Sequence, residues 1–260
     1  MQEKPPYYRV KSVEKTLRIL EVISQKGEVS LSELSRLTNL TKTNVHRLLL
    51  TLAENGFVIS NKDGSLYRLA LKLFVLGSSV NQNSVLIEIA SPHLEKLSSL
   101  SRETINLGVL YNDEVLYLHK IHSTEYLRID TPIAKTDPAH ATALGKCLLA
   151  SFDRDELASH IENINPLKPL TKNTITDPLK LMWEVEEVRK NGFAIDREEV
   201  IEGVRCIAAP VKDRSSKVIA AISISGPSVR MTEDKTRKLK NPLLTAASSI
   251  SKDYHKFSIR

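Results

Sequence analysis

The chain has 260 residues, 41% of them apolar, which is enough to bury a core without staples and suits one large or two ordinary domains. Two cysteines, Cys147 and Cys206, exclude a disulfide framework and point to a reducing cytoplasm. The opening MQEKPPYYRVKSVEK has no apolar run and does not read as a signal peptide, and no stretch is long and apolar enough for a membrane span.

Residues 1–9, with Pro5-Pro6 and little to bury, are expected to be disordered. Ser12 is the expected N-cap of a first helix, with Glu14 complementing its dipole. Val13, Leu17, Leu20 and Ser24 fall on one line, flanked by Ile19 and Ile23, so this helix is expected to wall the core of a small domain, and Gly27 ends it. From 31 to 54, apolar residues fall at Leu31, Leu34, Leu37 and Leu40, then at Val45, Leu48, Leu49 and Leu52. The second group repeats at i, i+3, i+4, i+7, one face of a helix. Residues 38–41 leave room only for a turn, and Thr41 can cap the helix after it. Two short helices and a tight turn make a helix-turn-helix, whose second helix enters the DNA major groove. Lys42, Thr43, Asn44, His46 and Arg47 then face bases or phosphates. The pattern alone also fits any α-rich domain. The next segment favours DNA: residues 56–59 and 66–69 read as strands around the turn 61–65, with Asp63-Gly64 at its tip. This hairpin, carrying Lys62 and Arg68, is a basic wing.

Charge agrees with that placement. The formal net charge is +6, and residues 1–80 hold twelve Lys and Arg against seven Asp and Glu, while the remainder holds 25 against 24. An excess concentrated on the helix-turn-helix is the footprint of a phosphate backbone partner.

Residues 71–79 read as a short helix leading away from this domain, with a boundary near 78–83. A long helix is expected over 84–101, with Val85, Ile89, Leu94 and Leu97 on its buried side and Pro92 bending or interrupting it. The period then changes to two. Residues 105–111 and 114–121 form a hairpin around Asn112-Asp113, and Leu127-Arg128-Ile129 is expected to continue the sheet. Helices come next over 142–150, capped by Thr142 or His140, over 153–161, and over 177–191, ended by Gly192. Residues 193–196, 204–211 and 217–225 read as strands, and Thr232 caps a last helix running to about 253. The organisation is α+β: a winged helix-turn-helix over 10–70, a linker helix over 71–83, and a domain over 84–255 with helices packed on an antiparallel sheet.

Three stretches together resemble the IclR family of bacterial transcription regulators. The first is Val13-Glu14-Lys15-Thr16-Leu17-Arg18-Ile19-Leu20 with Thr43-Asn44-Val45-His46-Arg47-Leu48-Leu49. The second is His140-Ala141-Thr142-Ala143-Leu144-Gly145-Lys146. The third runs from Glu198-Glu199 through residues 203–211 to residues 221–227. The resemblance covers about residues 10–253. It implies a GAF-like second domain that binds a small effector, and assembly as a homodimer or homotetramer. One departure is Ala134, where the family commonly has glycine in a loop bordering its pocket.

In the second domain, strand alternation sets Ser223 and Ser225 on one sheet face and Ile222 and Ile224 on the other. Cys206 and Asp196, on neighbouring strands, can face the serines. The resemblance places the effector's polar contacts on Asp196, Cys206, Ser223 and Ser225. It places backbone N–H contacts on Thr142, Ala143, Leu144 and Gly145, where a helix N-terminus suits a carboxylate. His119 and His122 with Asp196 and Cys206 suggest at most a weak metal set, because a spacing of three along a strand puts the two histidines on opposite faces; no metal and no cofactor are expected. No nucleophile elbow, P-loop or dinucleotide fingerprint is present. The reading is a ligand-responsive DNA-binding regulator, more in keeping with a repressor, that binds a palindromic operator and answers to a small organic or sugar acid. The alternatives are an α+β enzyme domain with a DNA-binding appendage, and a winged helix serving as a protein interaction module.

Overall fold

The computed structural model describes residues 9–78, 81–130, 132–133 and 136–257. Ala134 lies outside them, as do residues 1–8 of the expected disordered start. The chain divides into two compact units, one ending at Asn81 and the other beginning at Gln82.

The first unit opens with helix α1 (Lys11–Lys26), followed by a two-residue strand β1 (Val29–Ser30). Helices α2 (Leu31–Thr38) and α3 (Lys42–Glu54) make the helix-turn-helix. Asn39 turns the chain in the left-handed region at φ 54°, a conformation asparagine tolerates better than most residues. Ser30 and Thr41 cap the two helices, accepting from the amides of Glu33 and Asn44. Strands β2 (Val58–Ser60) and β3 (Leu66–Leu69) form the wing. Its tip is closed by Asp63, which accepts from the amide and hydroxyl of Ser65 at 3.0 and 2.7 Å. β1 pairs with β3, so the sheet has three strands rather than the two of a hairpin. Helix α4 covers Lys72–Ser78.

Two expectations for α1 are corrected. Its N-cap is Val10, without a side-chain hydrogen bond, and the Ser12 carbonyl instead accepts from the Thr16 hydroxyl. Its buried line is Ile19, Val22 and Ile23, which pack on Leu34, Val45, Leu49 and Leu52, while Val13 and Leu17 are exposed. A helix with apolar residues on more than one side satisfies either alignment by period alone.

The second unit is a six-stranded antiparallel sheet between helices. Its strands are β4 (Thr104–Tyr111), β5 (Glu114–Ile121), β6 (Thr136–Pro138), β7 (Ala194–Arg197), β8 (Val204–Lys212) and β9 (Val218–Pro227), in the order β6-β5-β4-β9-β8-β7. Helices α5 (Asn81–Ser101) and α9 (Glu233–Phe257) cover one face, burying Leu94, Leu97, Leu239 and Leu243 against Ile105, Ile222 and Ile224. Helices α6 (Ala143–Leu149), α7 (Arg154–Ile164) and α8 (Pro178–Asn191) cover the other. Gly192 ends α8 at φ 76°.

Pro92 does not interrupt α5, which runs helical through it. The buried line of this helix is Leu86, Ala90, Leu94 and Leu97 rather than one through Val85 and Ile89. Residues 127–129 are not a strand; the sheet is extended by β6, pairing Thr136 with Leu116 and Pro138 with Glu114. A strand ending in proline is tolerated there because β6 is an edge, where one neighbour is missing.

Candidate functional site

The DNA-facing candidates are set by how α3 is buried. Val45, Leu49 and Leu52 face the core, which turns Lys42, Thr43, Asn44, His46 and Arg47 to the exposed side. Lys62 and Arg68 of the wing are exposed as well, Arg68 opposite Ile59 in the β2–β3 ladder. The unit thus gathers one polar helix face and one basic hairpin on a small core.

The second candidate lies where β9 meets the start of α6. Antiparallel register aligns Asn106, Ser223 and Ala208 in one row across β4, β9 and β8, and Ser225, Cys206 and Asp196 in the next across β9, β8 and β7. Directly opposed residues share a face, so these polar groups converge. Ser223 and Ser225 are 1% and 5% exposed, which removes the alternative that they merely face solvent. With Tyr117, Thr142, Ala143 and Leu144 they enclose a cavity of about 40 Å³, lined also by Ile129, Val200, Ile201 and Val204. Arg128 is exposed and not part of that wall.

Gly145 lies behind the wall rather than on it. Its amide donates to the Thr142 hydroxyl at 2.8 Å in the helix cap, so it is not free for a ligand. A methyl group there would sit 2.1 Å from the Ala139 carbonyl oxygen, which explains glycine by close backbone approach. His140 does not cap α6: its Nε2 meets the Lys168 carbonyl at 3.0 Å, and burial lowers its pKa.

Several residues in and around the site lie outside the sequence-based set. Asn106 donates to the hydroxyls of Ser223 and Ser225 at 3.3 and 3.2 Å, while its Oδ1 is buried without a partner. The Tyr117 hydroxyl donates to Asp137 at 3.0 Å. Lys146, wholly buried, donates to Glu199 at 2.8 Å and to the Ile195 carbonyl at 3.1 Å. Glu199 in turn donates its amide to Asp196 at 2.7 Å. Thr171 and Thr174 donate their hydroxyls to the carbonyls of Glu198 and Glu199, at 2.7 and 2.6 Å, so the start of the 198–204 segment is pinned from two sides. Burial raises the Asp196 carboxyl to about 7, with the Glu199 amide pulling the other way. Burial also pushes the Cys206 thiol well up and the Cys147 thiol to about 12, which leaves neither as a ready nucleophile.

The weak metal set does not assemble. His119 lies within 3.4 Å of Ser91 on α5, across the sheet from Asp196 and Cys206, and no group of three metal-ligating side chains occurs among the described residues. No helix among the described residues is long and apolar enough to cross a membrane.

Residues 12–61 match the IclR helix-turn-helix domain, and residues 78–252 match the bacterial transcriptional regulator IclR C-terminal domain. The chain belongs to the IclR family. This regulator is 40% identical over 250 residues to the HTH-type transcriptional regulator KdgR of Escherichia coli K12, covering 95% of each chain. It is equally identical to KdgR of Dickeya chrysanthemi, covering 95% of this chain and 82% of that one. Among solved structures it is similar to an IclR homologue from Microbacterium hydrocarbonoxydans complexed with 4-hydroxybenzoate. The identity there is 25%, with a TM-score of 0.83 over 93% of this chain and 98% of that one. The IclR-family regulator therefore joins a helix-turn-helix DNA-binding domain to an α+β effector-binding domain with an antiparallel sheet.

Proposed function

We propose that this regulator senses a small organic or sugar acid in the cavity between β9 and α6, and that occupancy changes its affinity for a palindromic operator. The observation that carries the proposal is the buried row of Ser223, Ser225, Cys206 and Asp196, converging on one cavity. A carboxylate there is met by the serine hydroxyls and by the backbone amides at Ala143 and Leu144. Burial raises the Asp196 carboxyl, and its protonated form can donate as well as accept. The 4-hydroxybenzoate held by the Microbacterium homologue, itself an acid, supports the ligand class.

A space of about 40 Å³ holds little more than a water or two, well short of a typical ligand pocket of about 300 Å³ or more. Entry of an acid therefore requires the lining to open, and the stretch between β7 and β8 that bears Val200 and Ile201 is a part of it outside the sheet. Ile201, 51% exposed, loses little by moving. A ligand shifts such an equilibrium only by its differential affinity for the two states. The helix α4 and the start of α5 are the covalent route by which the shift reaches the wing domain.

On the DNA side, Lys42, Thr43, Asn44, His46 and Arg47 read a half-site, and Lys62 and Arg68 hold the backbone. Reading a palindrome requires a homodimer or homotetramer. The regulator works by binding in the cytoplasm, without catalysis; the raised thiols of Cys147 and Cys206 argue against a cysteine nucleophile.

The test is a thermal-shift panel of organic and sugar acids on the wild type and on the Ser223→Ala/Ser225→Ala double variant. At least one acid should stabilise the wild type, and the double variant should lose that response. An acid that stabilises both proteins equally places the effector elsewhere.

A further inference from the structure

We propose a second ligand site, for a small organic anion, on the face of β7 and β8 opposite the effector cavity. The two strands alternate: Asp196 and Cys206 face the cavity, while Ile195, Arg197, Arg205 and Ile207 face α9. Between these strands and α9 lies a cleft of about 390 Å³, within the range of ligand pockets.

Charge selects the ligand's sign. Arg197, Arg205, Arg237 and Lys240 line the cleft, with Glu233 the single carboxylate lining it. Arg197 and Arg237 have partners outside the lining, Glu184 of α8 at 3.9 Å and Asp234 at 3.4 Å. Both arginines are more than half exposed, and the Arg237–Asp234 pair, exposed on both sides, is screened and readily exchanged.

Hydrogen bonding selects the ligand's atoms. Arg205 donates Nη1 to the Met231 carbonyl at 3.3 Å, but its Nε is buried without a partner. Thr236, 5% exposed, also has a buried Oγ1 with no partner. A guanidinium N–H can only donate, and a hydroxyl can donate. Unmet donors carry their full desolvation penalty, and an acceptor oxygen entering the cleft removes it. Two unmet groups within a cationic wall point to an oxyanion, which guanidinium groups bind by charge-assisted, bidentate contacts.

The floor selects the rest. Phe193, Ile195 and Ile207 are apolar, and the Lys240 ammonium stands 4.2 Å above the Phe193 ring. A carboxylate or phosphate group on a compact carbon skeleton fits both floor and wall. The site shares its strands with the effector cavity but none of its lining side chains, and it stands whether or not that cavity binds an acid.

Isothermal titration with citrate and with glucose 6-phosphate, each against chloride at matched ionic strength, tests the proposal on the full chain and tells carboxylate from phosphate. One of the two should bind saturably at up to about 10 mM. Arg237→Gln and Arg205→Gln should each weaken it about tenfold, Thr236→Val should weaken it, and Ser225→Ala should leave it unchanged. Arg237 is exposed on α9, so its variant keeps the fold if Arg205→Gln does not. No saturable binding of either anion overturns the site. So does binding that Arg237→Gln and Thr236→Val leave intact, or binding lost in Ser225→Ala.

Discussion

Asp196 offers a direct reading of the electrostatics of the cavity proposed to hold the effector. Burial raises its carboxyl from 3.8 to about 7, and the Glu199 carboxylate adds to the rise, while the Glu199 amide and Lys146 oppose it. The folded value lies above the unfolded one, so folding favours the protonated acid. The associated stability is complete below the unfolded value near 4 and is lost as pH rises through 7. A gap of about three pH units at about 1.4 kcal/mol each makes this loss about 4 kcal/mol at its fullest. Asparagine keeps an acceptor for the Glu199 amide and carries no charge. Asp196→Asn should therefore match the wild type near pH 4 and exceed its stability by about 2–4 kcal/mol near pH 8. For a unit of this size that is a rise in Tm of about 4–16 °C. Thermal melts followed by circular dichroism across this range measure it. A Tm difference that does not change with pH, or a variant less stable at pH 8, would refute the account of Asp196.

Lys146→Met should destabilise the second unit by about 3–5 kcal/mol in calorimetry, because it takes the ammonium partner from Glu199, 3% exposed, and leaves its Oε1 the Arg197 amide. Adding Glu199→Gln should recover part of the loss, and a double variant no better than the single one argues against the pair. Arg47→Ala should weaken operator binding by about 1–3 kcal/mol if Arg47 reads a base, without changing the melting of the first unit; equal affinity in fluorescence anisotropy removes Arg47 from the interface. If the exposed apolar face of α1 is an assembly surface, Leu17→Glu should shift sedimentation toward monomer; an unchanged species rules that face out.

The helix-turn-helix was legible because each of its signals is local: an apolar period, a turn of four residues and a capping threonine at the right place. The serine row was legible for the same reason, since a strand's period of two fixes which side chains share a face. Residues 127–129 read as a strand because their alternation is local, and only the edge position taken by β6 shows otherwise. Two central residues did leave a trace. Asn106 interrupts an apolar strand, Ile105 to Tyr111, and Lys146 interrupts the apolar helix Ala143 to Leu149. A polar group inside such a run must find a partner if it is buried. Their partners, Ser223 with Ser225 for the one and Glu199 for the other, lie 117, 119 and 53 residues away. That separation is set by the sheet order, which no local pattern encodes. The family resemblance suggested Gly145 as a backbone donor at a helix start. The three-dimensional approach of Ala139 gives that glycine a different reason.

In the proposed function the serine row couples an acid to DNA. The most direct test is operator affinity, by anisotropy on a duplex selected by the protein itself, with and without the acid found by thermal shift. The wild type should change its affinity about 5- to 150-fold on adding the acid, the ordinary range of such coupling. Ser223→Ala/Ser225→Ala should bind the duplex as the acid-free wild type does and show no change. A double variant that still responds to the acid at the same concentration would contradict the account.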